Sequence, residues 1–142
     1  MQSVWTPSRL HFGLLSLAGD DEAWSDRRGE RVLPARRFGG VGLMIERPGV
    51  RVTASPAAAW SADGPLAERA LAFGLRFAES VRRDRPEAAL GRGLETPPQP
   101  HRLTVEEVPA EHVGLGVGTQ LGLAVARALA EAWGLVLDAP DL

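Results

Sequence analysis

The stretch VPAEHVGLGVGTQLGLAVARALAEAWG, residues 108–134, decides the fold of this chain because it joins a glycine-rich turn to a strongly apolar helix. Glycines at alternate positions allow the backbone to turn tightly and leave its amide groups accessible to a ligand. These are Gly114, Gly116 and Gly118. We expect Thr119 and Gln120 to begin a helix that ends near Trp133, with its unpaired N-terminal amides and positive dipole end towards the turn.

This arrangement favours a negatively charged ligand, and phosphate or pyrophosphate is the usual biological candidate. A Walker loop is excluded because no lysine accompanies Gly118. The dinucleotide fingerprint also fails, since Leu121 stands where its last glycine is required. The alternative is structural: the start of the helix packs closely on a strand and binds nothing.

Composition excludes several functional classes. The chain has 142 residues, enough for one domain, and 44% of them are hydrophobic. Its 16 basic residues are all arginine and its net charge is −2, so no overall field attracts nucleic acid or an anionic membrane. The absence of cysteine excludes disulfides and thiolate chemistry and fits the cytoplasm. No window reaches the roughly 18 to 20 apolar residues of a membrane span.

The first strand is predicted in residues 4–17. Alternation puts Arg9 and His11 on one face, and Leu10, Phe12 and Leu14 on the core face. Residues 18–36 are rich in charge and turn formers and predict an exposed loop.

A hairpin is predicted next, with strands in residues 36–46 and 50–54 and a turn at Pro48-Gly49. Glycine weakens a strand unless something approaches its backbone, so Gly39 and Gly40 either border a ligand cleft or form a bulge.

Residues 55–66 predict a connector, with Asp63 or Gly64 capping a helix that Pro65 helps to start. That helix is amphipathic, and its basic end suits the negative end of the dipole. The basic residues are Arg82, Arg83 and Arg85.

A proline-rich linker spans residues 89–101, and a strand follows in residues 101–108. The last helix is apolar around most of its circumference, which predicts burial between layers and termination at Gly134. Its narrow polar stripe consists of Gln120, Arg127 and Glu131.

The predicted fold is α+β, a mainly antiparallel sheet with helices packed on it. The sequence stops at APDL, residues 139–142, directly after the apolar helix. We therefore expect part of a larger protein, or a partner chain, to complete the fold.

Three blocks give the chain a resemblance to the amino-terminal domain of the GHMP kinase superfamily. They are TPSRLHFGL at residues 6–14, RRFGGVGLMIE at 36–46 and GLGVGTQLGLAVA at 114–126. The third departs from the usual glycine-leucine-glycine-serine-serine-alanine loop at Val117, Gly118, Thr119 and Gln120. The chain most resembles the branch of β-ribofuranosylaminobenzene 5′-phosphate synthases, which has glycine-threonine-glutamine there.

The resemblance implies a ribosomal protein S5 domain 2-like fold and a reaction of methanopterin biosynthesis. Phosphoribosyl pyrophosphate would condense with 4-amino- or 4-hydroxybenzoate and release pyrophosphate and carbon dioxide. Mg²⁺ is the implied cofactor, with no ligands assigned. Whether the isolated chain is an active enzyme stays open, because family members have a second domain.

For this reaction we assign roles to individual residues as a hypothesis. Arg9 and His11 would contact the benzoate carboxylate or a phosphate, and Gly39 and Gly40 would shape the cleft. The loop residues would hold the pyrophosphate; they are Gly114, Leu115, Gly116, Val117, Gly118, Thr119 and Gln120. Arg9 could instead pair with an acidic residue, and His11 or His112 could be an ordinary histidine.

Two other functions remain open at this stage. One is a non-catalytic binding or regulatory subunit, in which a second copy or a partner chain completes the site. The other is a small-molecule kinase that uses ATP, which Val117 and Gly118 disfavour because the kinases hold phosphates and magnesium with loop serines.

Overall fold

The computed structural model describes residues 1–17, 37–84 and 98–135. The predicted loop at 18–36, Arg85, most of the proline-rich linker and the terminal APDL lie outside this part. The elements in chain order are β1 (Gln2–Leu17), β2 (Arg37–Pro56), β3 (Ser61–Asp63), α1 (Ala67–Asp84), β4 (His101–Glu107) and α2 (Val117–Ala132).

The strands form one sheet in the order β1-β2-β4-β3. The β1/β2 and β2/β4 pairs are antiparallel, and the short β3 pairs parallel to β4. Helix α2 packs on β1 and β2, α1 packs on β3 and β4, and the helices contact each other. The predicted α+β class is confirmed.

The core lies between this sheet and the two helices. Strand β4 alternates buried and exposed residues, as a strand with one covered face does, so Leu103 and Val105 point inward. They meet Val52 of β2 and the apolar side of α2, including Leu121 and Leu129. The elements that carry the glycine-rich turn are therefore held by buried apolar contacts.

Helix α2 is buried as predicted, but it begins two residues earlier than Thr119, with Gly116 as its N-cap. It ends at Ala132, with Trp133 as its C-cap. Gly134 follows with a left-handed φ of 68°, and its amide donates a hydrogen bond to the Glu131 carbonyl, so this glycine stops the helix as predicted. Gln120, which belongs to the predicted polar stripe, is buried and only 5% exposed. Strand β1 covers this turn of the helix, where the Thr6 hydroxyl donates to the Gln120 carbonyl.

The predicted hairpin with a Pro48-Gly49 turn is also wrong, since both segments belong to the single strand β2. Strand β1 pairs with both halves, and the register shifts so that Ser8 opposes Ile45 while Pro7 opposes Gly49. The residues between bulge out of the ladder, and the Arg47-Pro48 peptide bond is cis. Proline and glycine therefore serve a bulge here, which the sequence pattern does not distinguish from a turn.

This difference gives a prediction for Gly49→Ala. Alanine usually stabilises a protein at a glycine with ordinary φ, by about 0.4–1 kcal/mol. Gly49 is buried, and an added Cβ would lie 2.6 Å from the Thr6 carbonyl oxygen and the Trp5 ring. We expect the free energy of unfolding in urea to fall by about 1–3 kcal/mol instead. An unchanged or raised stability would contradict the buried bulge.

Two further expectations need correction. The connector at 55–66 contains the strand β3, whose three residues pair with β4. Phe12 was expected on the core face of β1 but is 67% exposed. It lies in a two-stranded ribbon, residues 8–17 paired with 37–45, which extends past the β4 pairing at Arg51–Pro56 and leaves apolar side chains uncovered.

Neither described helix has the length and apolar character needed to span a membrane.

Candidate functional site

The glycine-rich loop lies against the open edge of the sheet. Strand β1 is the outermost strand, and its Arg9 amide donates to the Leu115 carbonyl over 3.0 Å. The next residue, Gly116, has a φ of 64°, and a Cβ there would lie 3.4 Å from the Arg9 carbonyl oxygen. Both the left-handed backbone and the close strand favour glycine, so the sequence positions the loop precisely beside β1.

Helix α2 begins at this loop without a capping side chain. Gly116 is the N-cap, no side chain caps the helix, and the Gln120 amide makes a helical bond to the Gly116 carbonyl. The amides of Val117, Gly118 and Thr119 come before that bond and have no acceptor within the helix. Free amide donors at the positive end of a 16-residue helix are suited to an anion.

The loop forms one wall of a cavity of about 330 Å³. Its lining consists of Arg69, Glu111, His112, Gly114, Leu115, Gly116, Val117, Gly118 and Thr119. Helix α1 supplies Arg69, whose guanidinium lies so close to Gly118 that an added Cβ would overlap its Nη2. Arg69 Nη1 also donates to Glu111 Oε1 over 2.7 Å. The cavity therefore combines backbone amides with one cation and one carboxylate.

The structure brings together most, but not all, of the residues predicted for the site. Gly114 to Thr119 line the cavity. Gln120 belongs to the same turn of α2 but is buried beside β1. The phosphate-binding roles of these residues stay predictions.

Arg9 approaches the loop through its backbone and its Cβ. Its side chain lies over Gly42 of β2, where an added Cβ would be 2.8 Å from Arg9 Nε. The His11 ring is exposed, and its Nδ1 accepts a hydrogen bond from the Gly13 amide. Neither side chain lines the cavity. Their predicted catalytic roles remain untested.

The glycines predicted to shape the cleft lie in the ribbon. Gly39 pairs with Leu15, and Gly40 with Leu14. Their role in shaping a cleft stays a prediction.

Sequence reasoning missed Arg69 and Glu111 as site residues. Arg69 was one of many arginines on the polar side of an amphipathic helix, and Glu111 was only a charged residue before the loop. The available signal was Gly118, a glycine in the first turn of an otherwise apolar helix. Such a glycine often marks the close approach of another group, which here is the Arg69 guanidinium.

The described residues do not form a ligand set for the implied Mg²⁺. No group of three histidine, aspartate or glutamate side chains converges in the described part of the chain. Among the described residues, Glu111 is the single carboxylate in the cavity lining, and its Oε1 accepts a hydrogen bond from Arg69. Magnesium in nucleotide sites usually takes one or two carboxylates together with phosphate oxygens. A role for Mg²⁺ therefore stays a prediction.

Solved structures with the same architecture are found among the kinases. The 4-(cytidine 5′-diphospho)-2C-methyl-D-erythritol kinase matches with a TM-score of 0.59 and 16% identity, over 96% of this chain and 42% of that protein. The phosphomevalonate kinase of Streptococcus pneumoniae matches with a TM-score of 0.54 and 13% identity, over 96% of this chain and 36% of the kinase chain. The fold is that of the GHMP kinases.

Curated relatives of higher identity are synthases. The chain is 32% identical over 137 residues to the β-ribofuranosylphenol 5′-phosphate synthase of Archaeoglobus fulgidus, which covers 96% of this chain and 35% of the relative. It is 28% identical over 148 residues to the protein of the same name from Methanocaldococcus jannaschii, or 98% of this chain and 38% of the relative. No protein-family model matches. The predicted resemblance to the GHMP superfamily and its synthase branch is confirmed.

This chain departs from the GHMP loop pattern at the residue beside which the Arg69 guanidinium lies. Where the pattern has two serines, this chain has Val117 and Gly118. Any side chain at Gly118 would overlap the Arg69 guanidinium. Where the pattern has its second serine, Gly118 thus carries no hydroxyl and leaves space for the Arg69 guanidinium of α1.

Proposed function

We propose that this chain is the phosphate-binding part of a transferase that makes β-ribofuranosylphenol 5′-phosphate in methanopterin biosynthesis. The proposed substrates are phosphoribosyl pyrophosphate and 4-hydroxybenzoate, and the other products are pyrophosphate and carbon dioxide. The phenol in the name of both synthases favours the hydroxybenzoate over the aminobenzoate. The chain spans little more than a third of either relative, so we propose that a partner chain or a second copy completes the site.

The observation that carries this proposal is the uncapped start of α2 beside an open cavity. Pyrophosphate is the group in this reaction that gains negative charge, and the free amides of Val117, Gly118 and Thr119 are suited to receive it. The Thr119 residue, which also lines the cavity, can add a hydroxyl donor. Fixed donors do not need to reorganise when charge develops, and they therefore lower the barrier to departure.

The bonding changes balance without an oxidant or a nucleotide. The anomeric C–O bond breaks and pyrophosphate leaves with its electron pair. The ring carbon that bears the carboxylate attacks the anomeric carbon and forms a C–C bond. The bond between the ring and its carboxylate then breaks, carbon dioxide leaves, and the electron pair of the broken bond restores aromaticity. The chain contributes the pyrophosphate clamp and its orientation relative to β1.

The two alternative functions are not favoured by the comparisons. The likeness to kinases concerns the fold, at 16% and 13% identity. A non-catalytic subunit is not what the names of the two synthases describe. The cytoplasm remains the proposed location, because a chain without cysteine has no need of an oxidising compartment.

An assay of released carbon dioxide tests the proposed function. The chain, alone and with any protein that co-purifies with it, is given carboxyl-labelled 4-hydroxybenzoate and phosphoribosyl pyrophosphate. We expect labelled carbon dioxide only when both substrates are present, and less from the labelled 4-aminobenzoate. A parallel reaction with ATP and no phosphoribosyl pyrophosphate is the control for a kinase. ATP consumption with no release of carbon dioxide in any reaction would contradict the synthase.

A further inference from the structure

The cavity beside the glycine-rich loop contains an ion pair that competes with any anion for the same cation. Arg69 Nη1 and Glu111 Oε1 are 2.7 Å apart, and their side chains are 48% and 33% exposed. Both residues line the cavity together with the loop. A ligand phosphate that binds the loop amides therefore meets a guanidinium that is already engaged by a carboxylate.

Arg69 is held over the loop by contacts that do not depend on Glu111. Its guanidinium carbon lies 5.9 Å from the centre of the Phe73 ring, one turn further along α1. On the other side, the missing side chain of Gly118 leaves space for Nη2 beside α2. When Glu111 is released, the guanidinium can stay where it is and present the same donors to a phosphate.

We propose that Glu111 is an internal competitor of the pyrophosphate, and that Arg69 becomes a ligand of that anion when the Glu111 pair breaks. This inference rests on the proposed function, because it concerns the same loop and the same pyrophosphate group. Glu111 occupies Arg69 while the site is empty and gives it up when a more highly charged anion arrives. The pair thereby selects a ligand with several charges, such as pyrophosphate, over one with a single charge.

The relative strengths of the two interactions allow this exchange. A half-exposed arginine–carboxylate pair changes an equilibrium by about fivefold at most. A guanidinium that binds phosphate through two parallel hydrogen bonds is stronger, and its loss weakens binding by roughly tenfold or more. The net effect favours the phosphate, while Glu111 still lowers the measured affinity.

Calorimetric titration of the full chain with inorganic pyrophosphate tests the proposal, in EDTA and again in Mg²⁺. We expect Arg69→Ala to weaken binding by about tenfold or more and Glu111→Gln to tighten it by about three- to fivefold. Matched controls come from α2, where Arg127 and Glu131 form a similar exposed pair 3.0 Å apart. Arg127→Ala and Glu131→Gln should leave the affinity within about twofold, since a solvated charge outside the site is screened.

The double variant Arg69→Ala/Glu111→Gln separates competition from general repulsion. If Glu111 acts through Arg69, Glu111→Gln has no effect once Arg69 is absent, and the two changes are not additive. An equal gain in both backgrounds would overturn the proposal, because it would mean that Glu111 only repels the anion. If the Glu111→Gln variant bound pyrophosphate more weakly than the wild type in Mg²⁺ but not in EDTA, the proposal would also be overturned, because that result would indicate that Glu111 is a metal ligand.

The fate of the proposed function is read separately. Unchanged affinity in both single variants, with binding to the wild-type chain intact, overturns the competition and leaves the loop in place. Binding with the expected changes but no carbon dioxide from either benzoate leaves the competition standing and overturns the synthase. If the wild-type chain does not bind pyrophosphate at all, both fall.

Discussion

Gly116→Val is expected to abolish pyrophosphate binding while the chain still unfolds cooperatively. The residue has a φ of 64°, and a Cβ would lie 3.4 Å from the Arg9 carbonyl oxygen, so a branched side chain must move the loop away from β1. That movement displaces the N-terminal amides of α2 from a common ligand. A hydrogen bond to a charged group contributes about 1.5–3 kcal/mol, so the loss of two or more of these bonds should lower the affinity by about a hundredfold or more.

A control from the other end of the same helix isolates the effect of backbone strain. Gly134 has a φ of 68°, and a Cβ there would meet nothing within 4 Å. Gly134→Val should reduce stability by about 1–2 kcal/mol through its left-handed backbone, as Gly116→Val also should. Only Gly116→Val should lose pyrophosphate. Equal affinities in the two variants, measured by calorimetry, would remove the loop from the site.

The largest loss of stability is expected for Gly64→Ala. Gly64 has a φ of 92°, and an added Cβ would overlap the Val105 carbonyl oxygen in the buried strand β4. The methyl group cannot be accommodated unless the start of α1 separates from the sheet. Backbone strain and overpacking together should lower the free energy of unfolding by about 3 kcal/mol or more.

Gly114→Ala is the matched control for this change. Gly114 also has a positive φ, of 80°, but a Cβ there would meet nothing within 4 Å. Urea denaturation should show a loss of about 1–2 kcal/mol for Gly114→Ala, from backbone strain alone. If Gly64→Ala lost no more than this control, the close approach of the Gly64 backbone to β4 would be contradicted.

The sequence predicted the elements whose pattern is local. Helix α2 follows from a long apolar period that ends at Gly134, and β4 follows from the alternation of Leu103 and Val105. The wrong hairpin arose because Pro48-Gly49 reports local backbone geometry, and local geometry does not show that β1 pairs with the chain on both sides. Phe12 is exposed because the sheet narrows to two strands there, which alternation within β1 cannot reveal.

The contiguous part of the site was predictable from the sequence, and the part formed by tertiary contacts was not. The loop at Gly114 to Gly118 is a contiguous motif, and its place beside the start of α2 follows from the sequence order. Arg69 lies 42 positions before Glu111, and only the packing of α1 against α2 brings the two together over Gly118. A pair formed by tertiary contacts leaves no periodic signal in either segment.

The central claim, a decarboxylating transfer that begins with pyrophosphate held at this loop, is tested most directly by the ratio of the two small products. Pyrophosphate and carbon dioxide are quantified together from one reaction with phosphoribosyl pyrophosphate and 4-hydroxybenzoate, with the completed protein if a partner is found. The proposed chemistry predicts equal amounts of the two, with no ATP present. Pyrophosphate released without carbon dioxide would contradict it.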